Sequence, residues 1–283
     1  MWILPLPDHQ DAIEDLKTSL TFKSGKEKFT IESDVLNSIK RCYEKYEEVQ
    51  GKASQDLLDL SKLDEEVLSA IHDAYSEVQE NKRLSYLRDR LLLAAGRCPC
   101  CGIGAADELD HHLPRSVYKI LAVYSSNLVP MCHKCNNKKR TVAGLTSRDS
   151  FIHIYYDRVP ENDRFLFAKT EIIDGRLLVE FEVKNIPSLS PELYEMLIFQ
   201  TKRVEFNKRV IKEVNIFLGA FMVSLDMIYN KSHSADQISD FLFQNEQFFN
   251  KEFGVNDWRS SLLSSLSQNN HFCNGGYKIA LGG

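Results

Sequence analysis

Two Cys-x-x-Cys pairs, Cys98/Cys101 and Cys132/Cys135, bracket a segment rich in groups that can do chemistry. A two-residue gap lets both sulfurs of a pair reach one metal, and four thiolates make a closed tetrahedral zinc site with no position left for water. Zinc is therefore expected here as scaffold. Gly102, directly after Cys101, suits the left-handed turn that closes such a knuckle. Cys100 is expected to point away from the metal or to contact it weakly. Inside and just after the bracket stand Asp110, His111, His112, Pro114, Arg115, Asn127 and Asn136, followed by Lys138, Lys139 and Arg140. A carboxylate and a side-chain carbonyl are hard oxygen donors, and a pair that leaves positions for water and phosphate suits Mg²⁺ or Mn²⁺. An imidazole titrates where it can take a proton from water near neutral pH. Basic side chains neutralise phosphates. Activated water, a Lewis acid and phosphate-neutralising cations together are what phosphodiester hydrolysis needs. Which imidazole serves is open on geometry alone: in a regular strand Asp110 and His112 share a face and His111 points the other way.

The Asp-His-x-x-Pro sequence at Asp110, the Asn127 that precedes Leu-Val-Pro, and the second knuckle running into Asn136-x-x-Lys139 together resemble the HNH endonuclease family. The likeness is to its zinc-bracketed branch, with a ββα-metal motif, and more narrowly to the nuclease subunits of Septu-type and retron-linked anti-phage systems. It covers residues 98 to 140. The resemblance implies His111 as general base, since Pro114 then sits in register. It implies Asp110 and Asn136 as ligands of a catalytic Mg²⁺ or Mn²⁺, and Asn127 as the residue that holds the loop and the His111 ring in place. Arg115, Lys138, Lys139 and Arg140 are the candidate nucleic-acid contacts. DNA is the implied substrate, cut to leave 5′-phosphate ends, and an ATPase subunit the implied partner. Asn136 departs from the commoner His of the family, and a neutral amide binds metal less tightly. Two alternatives stand beside this reading: an RNA-cleaving enzyme of the same type, and a non-catalytic zinc-stabilised nucleic-acid-binding or docking subunit. A bare zinc ribbon has no need of Asp110, His111, Asn127 and Asn136 together.

The elements that must position these groups read as an α+β, mainly helical chain. The central four-cysteine ββα-metal motif is followed by a C-terminal β-hairpin and further helices. The expected division is a helical region over residues 1–96, the zinc-bracketed motif over 97–148, and a hairpin-plus-helix region over 149–283 that docks a partner. Val35, Leu36, Ile39, Cys42, Tyr43, Tyr46 and Val49 recur at three- and four-residue steps, one face of a helix that Ser33 or Asp34 can cap. A second helix carries Leu63 to Val78 and a third Leu84 to Ala95, stopped at Gly96. Residues 1 to 30 are polar and weakly patterned. Phe151 to Tyr155 is β-prone. Strict alternation through Leu177, Val179, Phe181 and Val183 after Asp174-Gly175 predicts a hairpin. Beyond Pro187 a long helix runs from Leu193 past Val210, the apolar stretch Val214 to Ile228 continues it or forms another, and two more span 234–253 and 257–266. The other histidines, among them His72, His133 and His153, carry no expected role.

Bulk properties limit the alternatives. Net charge is −5 over 283 residues, so any grip on nucleic acid is local or shared with a partner. Four of the seven cysteines sit in the two pairs, the usage of a reducing compartment rather than of a disulfide framework. No apolar run approaches the roughly 18 residues of a membrane span. The N-terminus has no basic flank and is broken by Pro5 and Pro7, unlike a secretory signal. A cytoplasmic protein is expected.

Overall fold

Apolar spacing sets the helices of the first third, and tertiary contacts add one the pattern hides. The computed structural model describes residues 1–282 and separates into two units, Ile3–Arg158 and the chain from Val159 onward joined by Met1–Trp2. The expected boundaries at 96/97 and 148/149 do not coincide with that division. The helical region, the bracketed segment and residues 149–158 belong to one unit.

In the first unit α1 (Ala12–Ser19) lies in a stretch expected to be unpatterned. It buries Leu16 together with Asp15, whose carboxyl accepts from the Tyr86 hydroxyl. A charged residue facing inward is what blurs its periodicity. Helix α2 (Ser33–Glu48) buries Ile39, Cys42, Tyr43 and Tyr46 as its spacing requires. Its N-cap is Glu32 rather than Ser33 or Asp34, and no side chain closes the cap. The second predicted helix begins later than read, as α4 (Glu65–Ala74), which runs into a 3₁₀ turn at Tyr75–Val78. Before it α3 (Gln55–Leu60) is capped by the Ser54 hydroxyl. Helix α5 (Ser85–Ala95) stops at Gly96.

Strands β1 (Glu108–His111) and β2 (Leu128–Met131) pair antiparallel, with Asp110 opposite Val129 and His111 opposite Leu128. Helix α6 (His133–Lys139) follows directly. Most of the connection between the strands is buried, Ser116 and Val117 being exposed. Ile120, Leu121, Ala122, Val123 and Tyr124 join Leu16, Ile39, Tyr46 and Ile71 in the core, and the Tyr124 ring stacks on Tyr43 with centroids 4.0 Å apart. Phe151, Ile152 and Ile154 are buried as expected of apolar residues but form an irregular segment leading into a turn at 154–156, not a strand. The backbone amide of Leu4 closes on the Ile154 carbonyl at 2.7 Å.

In the second unit β3 (Leu166–Ile173) and β4 (Arg176–Val183) form the predicted hairpin. Both turn residues take positive φ, 50° at Asp174 and 71° at Gly175, the pair of left-handed positions a two-residue turn of this hand requires. The long helix expected from Leu193 is broken. α7 (Pro191–Arg203) ends at Val204, and Glu205 at φ 52° redirects the chain into α8 (Phe206–Gly219). Then come α9 (Met222–Ser232), α10 (Ala235–Phe253), α11 (Trp258–Ser267) and α12 (Tyr277–Ala280). Asp257 caps α11 and holds Arg259 through paired contacts of 2.7 and 2.8 Å, while Trp258 is buried. No helix of the described residues is long and apolar enough to cross a membrane.

Candidate active site

The four paired cysteines meet. Their sulfurs lie within 4.8 Å of one another, all four residues are buried, and they are the only such cluster of His, Cys, Asp and Glu donors among the described residues. Cys101 Sγ and Cys132 Sγ are 3.8 Å apart. Four zinc–sulfur bonds of about 2.3 Å in a tetrahedron put the sulfurs roughly 3.8 Å apart, so the spacing suits zinc. The first knuckle closes as its sequence requires. Gly102 stands at φ 68°, its amide bonds the Cys98 carbonyl at 2.7 Å, and the Ile103 amide donates to Cys101 Sγ at 3.4 Å. Cys132 precedes α6 and Cys135 lies in its first turn. The cluster therefore ties the segment ahead of β1 to the β2–α6 junction. Hydrogen bonds within the group split the four thiols: Cys98 (Cys100 foremost) and Cys132 (Cys101 foremost) are held below the usual thiol range, Cys101 (Cys132 foremost) and Cys135 (Cys100 foremost) above it. Cys100 is closer to the cluster than expected, buried and in contact with Cys98 and Cys135.

Beside the cluster opens a cleft of about 600 Å³. Asp110, His111 and Asn136 line it, with Arg115 and Arg140. So do Tyr75, Arg88 and Glu108, which spacing alone did not single out. His112 is not in its lining. Strand β1 ends at His111, and beyond it the chain leaves the strand's alternation. Asn127 holds the chain just past the strand. It is fully buried outside the cleft; its Oδ1 accepts from the Leu113 amide at 2.8 Å, and its Nδ2 donates to the Leu113 carbonyl at 3.0 Å and the Leu121 carbonyl at 3.3 Å. The Tyr46 hydroxyl stands 3.1 Å from Asn127 Oδ1 and 2.9 Å from His153 Nε2. His112 and His153 pack with ring centroids 4.0 Å apart on this buried side. His153, for which the sequence offers no role, is thus part of the support behind the loop.

His111 is oriented from two directions. Its Nε2 lies 2.9 Å from the Ala122 carbonyl. A carbonyl only accepts, so Nε2 carries the proton and Nδ1 keeps its lone pair. The Tyr75 ring meets the imidazole edge-on at 4.4 Å, and the Tyr75 hydroxyl is anchored on the Leu109 carbonyl at 2.8 Å. Burial drives the His111 pKa down to about 3, against the pull of its bond to Ala122. The ring is neutral throughout the physiological range.

Asp110 is 6% exposed, and burial pushes its carboxyl above the ordinary range, with Lys139 pulling the other way. Lys139 lies 2.8 Å from Asp110 Oδ2 and donates to the His111 carbonyl at 2.8 Å. Its side chain is 1% exposed. That corrects its expected place among the phosphate contacts: Lys139 is an internal counter-ion. Lys138 is exposed on α6, as a nucleic-acid contact must be. Arg140, at the end of that helix, and Arg115, over the Tyr75 ring at 4.9 Å, remain at the cleft. Asn136 donates through Nδ2 to Glu108 Oε2 at 2.8 Å, and Glu108 Oε1 lies 2.7 Å from His133 Nδ1. Glu108 had one legible cue: it stands two residues before Asp110 in a strand and shares its face. Tyr75 and Arg88 come from the helical region, and no local pattern marks them.

The chain is similar to two curated proteins. It is 37% identical to Protein ea31 of Escherichia phage lambda over 76 residues, 26% of each chain. It is 25% identical to Septu protein PtuB of Bacillus thuringiensis over 186 residues, 57% of this chain and 70% of PtuB. The chain thus spans about a quarter of the length of ea31. No family model matches it, and no solved structure matches.

Proposed function

We propose that this chain is a metal-dependent endonuclease of the HNH type that hydrolyses phosphodiester bonds of DNA. The observation that carries the reading is that His111, with its Nε2 engaged by the Ala122 carbonyl, lines one cleft with Asp110 and Asn136. Four cysteine sulfurs brace the strands and helix that bear them. Zinc is the scaffold ion. Asp110 and Asn136 are the oxygen donors for Mg²⁺ or Mn²⁺, a donor set in keeping with hard cations. When bound, that ion supplies charge neutralisation at the phosphate and the leaving oxygen.

The protein's own groups do the rest. His111 takes a proton from water at Nδ1, the nitrogen that the Ala122 contact leaves as acceptor. The Tyr75 ring and the Ala122 carbonyl support this orientation of the imidazole. Its depressed pKa keeps the imidazole unprotonated, and a phosphate in the cleft raises its basicity by opposing the desolvation of the charged ring. Arg115 and Arg140 bind the flanking phosphate oxygens. The chain's net charge of −5 makes this a local grip.

The similarity to PtuB over 70% of that protein's length supports a role in anti-phage defence, and the resemblance to Septu-type systems suggests an ATPase as the partner. Ile216, Val223 and Met227, each 71% exposed on α8 and α9, are the apolar surface such a partner would cover.

Nicking of supercoiled plasmid in Mg²⁺ or Mn²⁺ tests the enzymatic reading. His111→Ala is expected to abolish cleavage and His112→Ala to spare it when folded. Cleavage that survives in His111→Ala, or none by the wild type with its ATPase partner present, sinks the proposal. The same assay on single-stranded RNA decides the nucleic acid.

A further inference from the structure

An amide that serves as a metal ligand has an orientation problem that a carboxylate does not. Only its oxygen binds a hard cation, and its two ends differ little in shape. Asn136 stands at the cleft where such an amide would serve, and its Nδ2 is 2.8 Å from Glu108 Oε2. An ionised carboxylate only accepts hydrogen bonds. It therefore pairs with the nitrogen end of the amide and excludes the flipped rotamer, which leaves Oδ1 on the side away from Glu108. Glu108 is itself held: its other oxygen lies 2.7 Å from His133 Nδ1, one residue past the zinc-cluster cysteine Cys132. Strand alternation puts Glu108 and Asp110 on one face of β1, and both line the cleft with Asn136.

We infer that Glu108 is a positioning residue that fixes the side-chain oxygen of Asn136 toward the divalent-ion site. The inference rests on the proposed ligand roles of Asp110 and Asn136. It accounts for an amide at a place where the resembled family commonly has an imidazole: the neighbouring carboxylate makes the weaker ligand single-valued. Outer-shell partners of this kind are typically worth about 10–100-fold in metal affinity.

The test is Mn²⁺ binding to the zinc-loaded full chain without nucleic acid, followed by calorimetry and by the electron-spin resonance of free Mn²⁺. Zinc content and melting temperature serve as controls. Glu108→Gln, whose amide can pair with either end of Asn136, is expected to weaken Mn²⁺ binding by about tenfold or more with zinc retained. A merely structural contact would shift melting and leave Mn²⁺ affinity alone. Glu108→Gln combined with Asn136→Asp keeps the charge and the hydrogen bond while placing oxygen at both ends of residue 136, and is expected to restore binding. It also stands in if the single variant fails to fold. Wild-type affinity in Glu108→Gln, alongside loss in Asp110→Ala, overturns the role of Glu108 and leaves the ligand reading standing. A folded double variant that binds no Mn²⁺ overturns it too. Undiminished binding in Asp110→Ala overturns both.

Discussion

Replacing Lys139 by Met tests whether the Asp110–Lys139 pair is a buried electrostatic unit. The two side chains are 8% and 1% exposed and 2.8 Å apart. Exposed ion pairs are worth at most about 1 kcal/mol, but removing one partner of a buried pair costs about 3–5 kcal/mol because the other charge is stranded. Lys139→Met leaves the Asp110 carboxylate stranded and frees the His111 carbonyl. The expected loss, at about 2–4 °C per kcal/mol for a unit of this size, is roughly 6–20 °C in melting temperature. Asp110→Asn strands the ammonium instead and is expected to cost a similar amount. The double variant, with neither charge, should be much less destabilised than the sum. A cycle of the four proteins by chemical denaturation isolates the coupling, expected at about 3 kcal/mol. The penalty in Lys139→Met should also shrink at acid pH. Asp110 already has its carboxyl raised by burial, and without Lys139 it rises further. Protonated, it needs no counter-charge, so the loss is smallest at low pH and grows as pH rises through the raised folded value. Additive single-variant effects, with a coupling below about 0.5 kcal/mol, would refute the argument.

Further expectations follow from the same geometry. Cys98→Ser, Cys101→Ser, Cys132→Ser or Cys135→Ser should each lose zinc and solubility, and elemental analysis of protein purified without chelator checks it. Stoichiometric zinc in any of them would show that the cluster is not the binding site. The pH dependence of stability has a worked sign. His111 and His153 are both held at about 3 by burial, so the unfolded chain binds protons that the folded chain does not until pH falls to that value. Their contribution is fully present above about pH 6.5 and is lost as pH drops, by about 2 kcal/mol per ring between pH 7 and pH 5. Carboxyls raised by burial, among them Asp110 and Asp157, act in the opposite direction, so the test is a difference. His153→Gln should reduce the loss measured by denaturation over that interval by about 2 kcal/mol, and an unchanged slope would count against it.

Chemistry carried by short-range spacing was legible in the amino-acid chain. The four thiols, Gly102 as knuckle closer, the Asp174-Gly175 turn and the buried face of α2 depend on residues within a few positions of one another. Backbone geometry at that range has few solutions. The candidates Asp110, His111 and Asn136 were likewise nameable from their order. The roles inside the site were decided by distance in space. Lys139 reads as one of three consecutive basic residues, and only the packing of α6 against β1 turns it inward to Asp110. Strand alternation favoured His112. The cleft instead takes side chains from both faces of β1, Leu109 and His111 as well as Glu108 and Asp110, while His112, just past the strand, packs against His153. Tyr75 reaches the cleft, and Tyr46 the support behind it, from helices far away in the chain. Local periodicity specifies which residues share a face of one element. Which face meets which, and hence which polar groups are desolvated and must find partners, is a property of the assembled core.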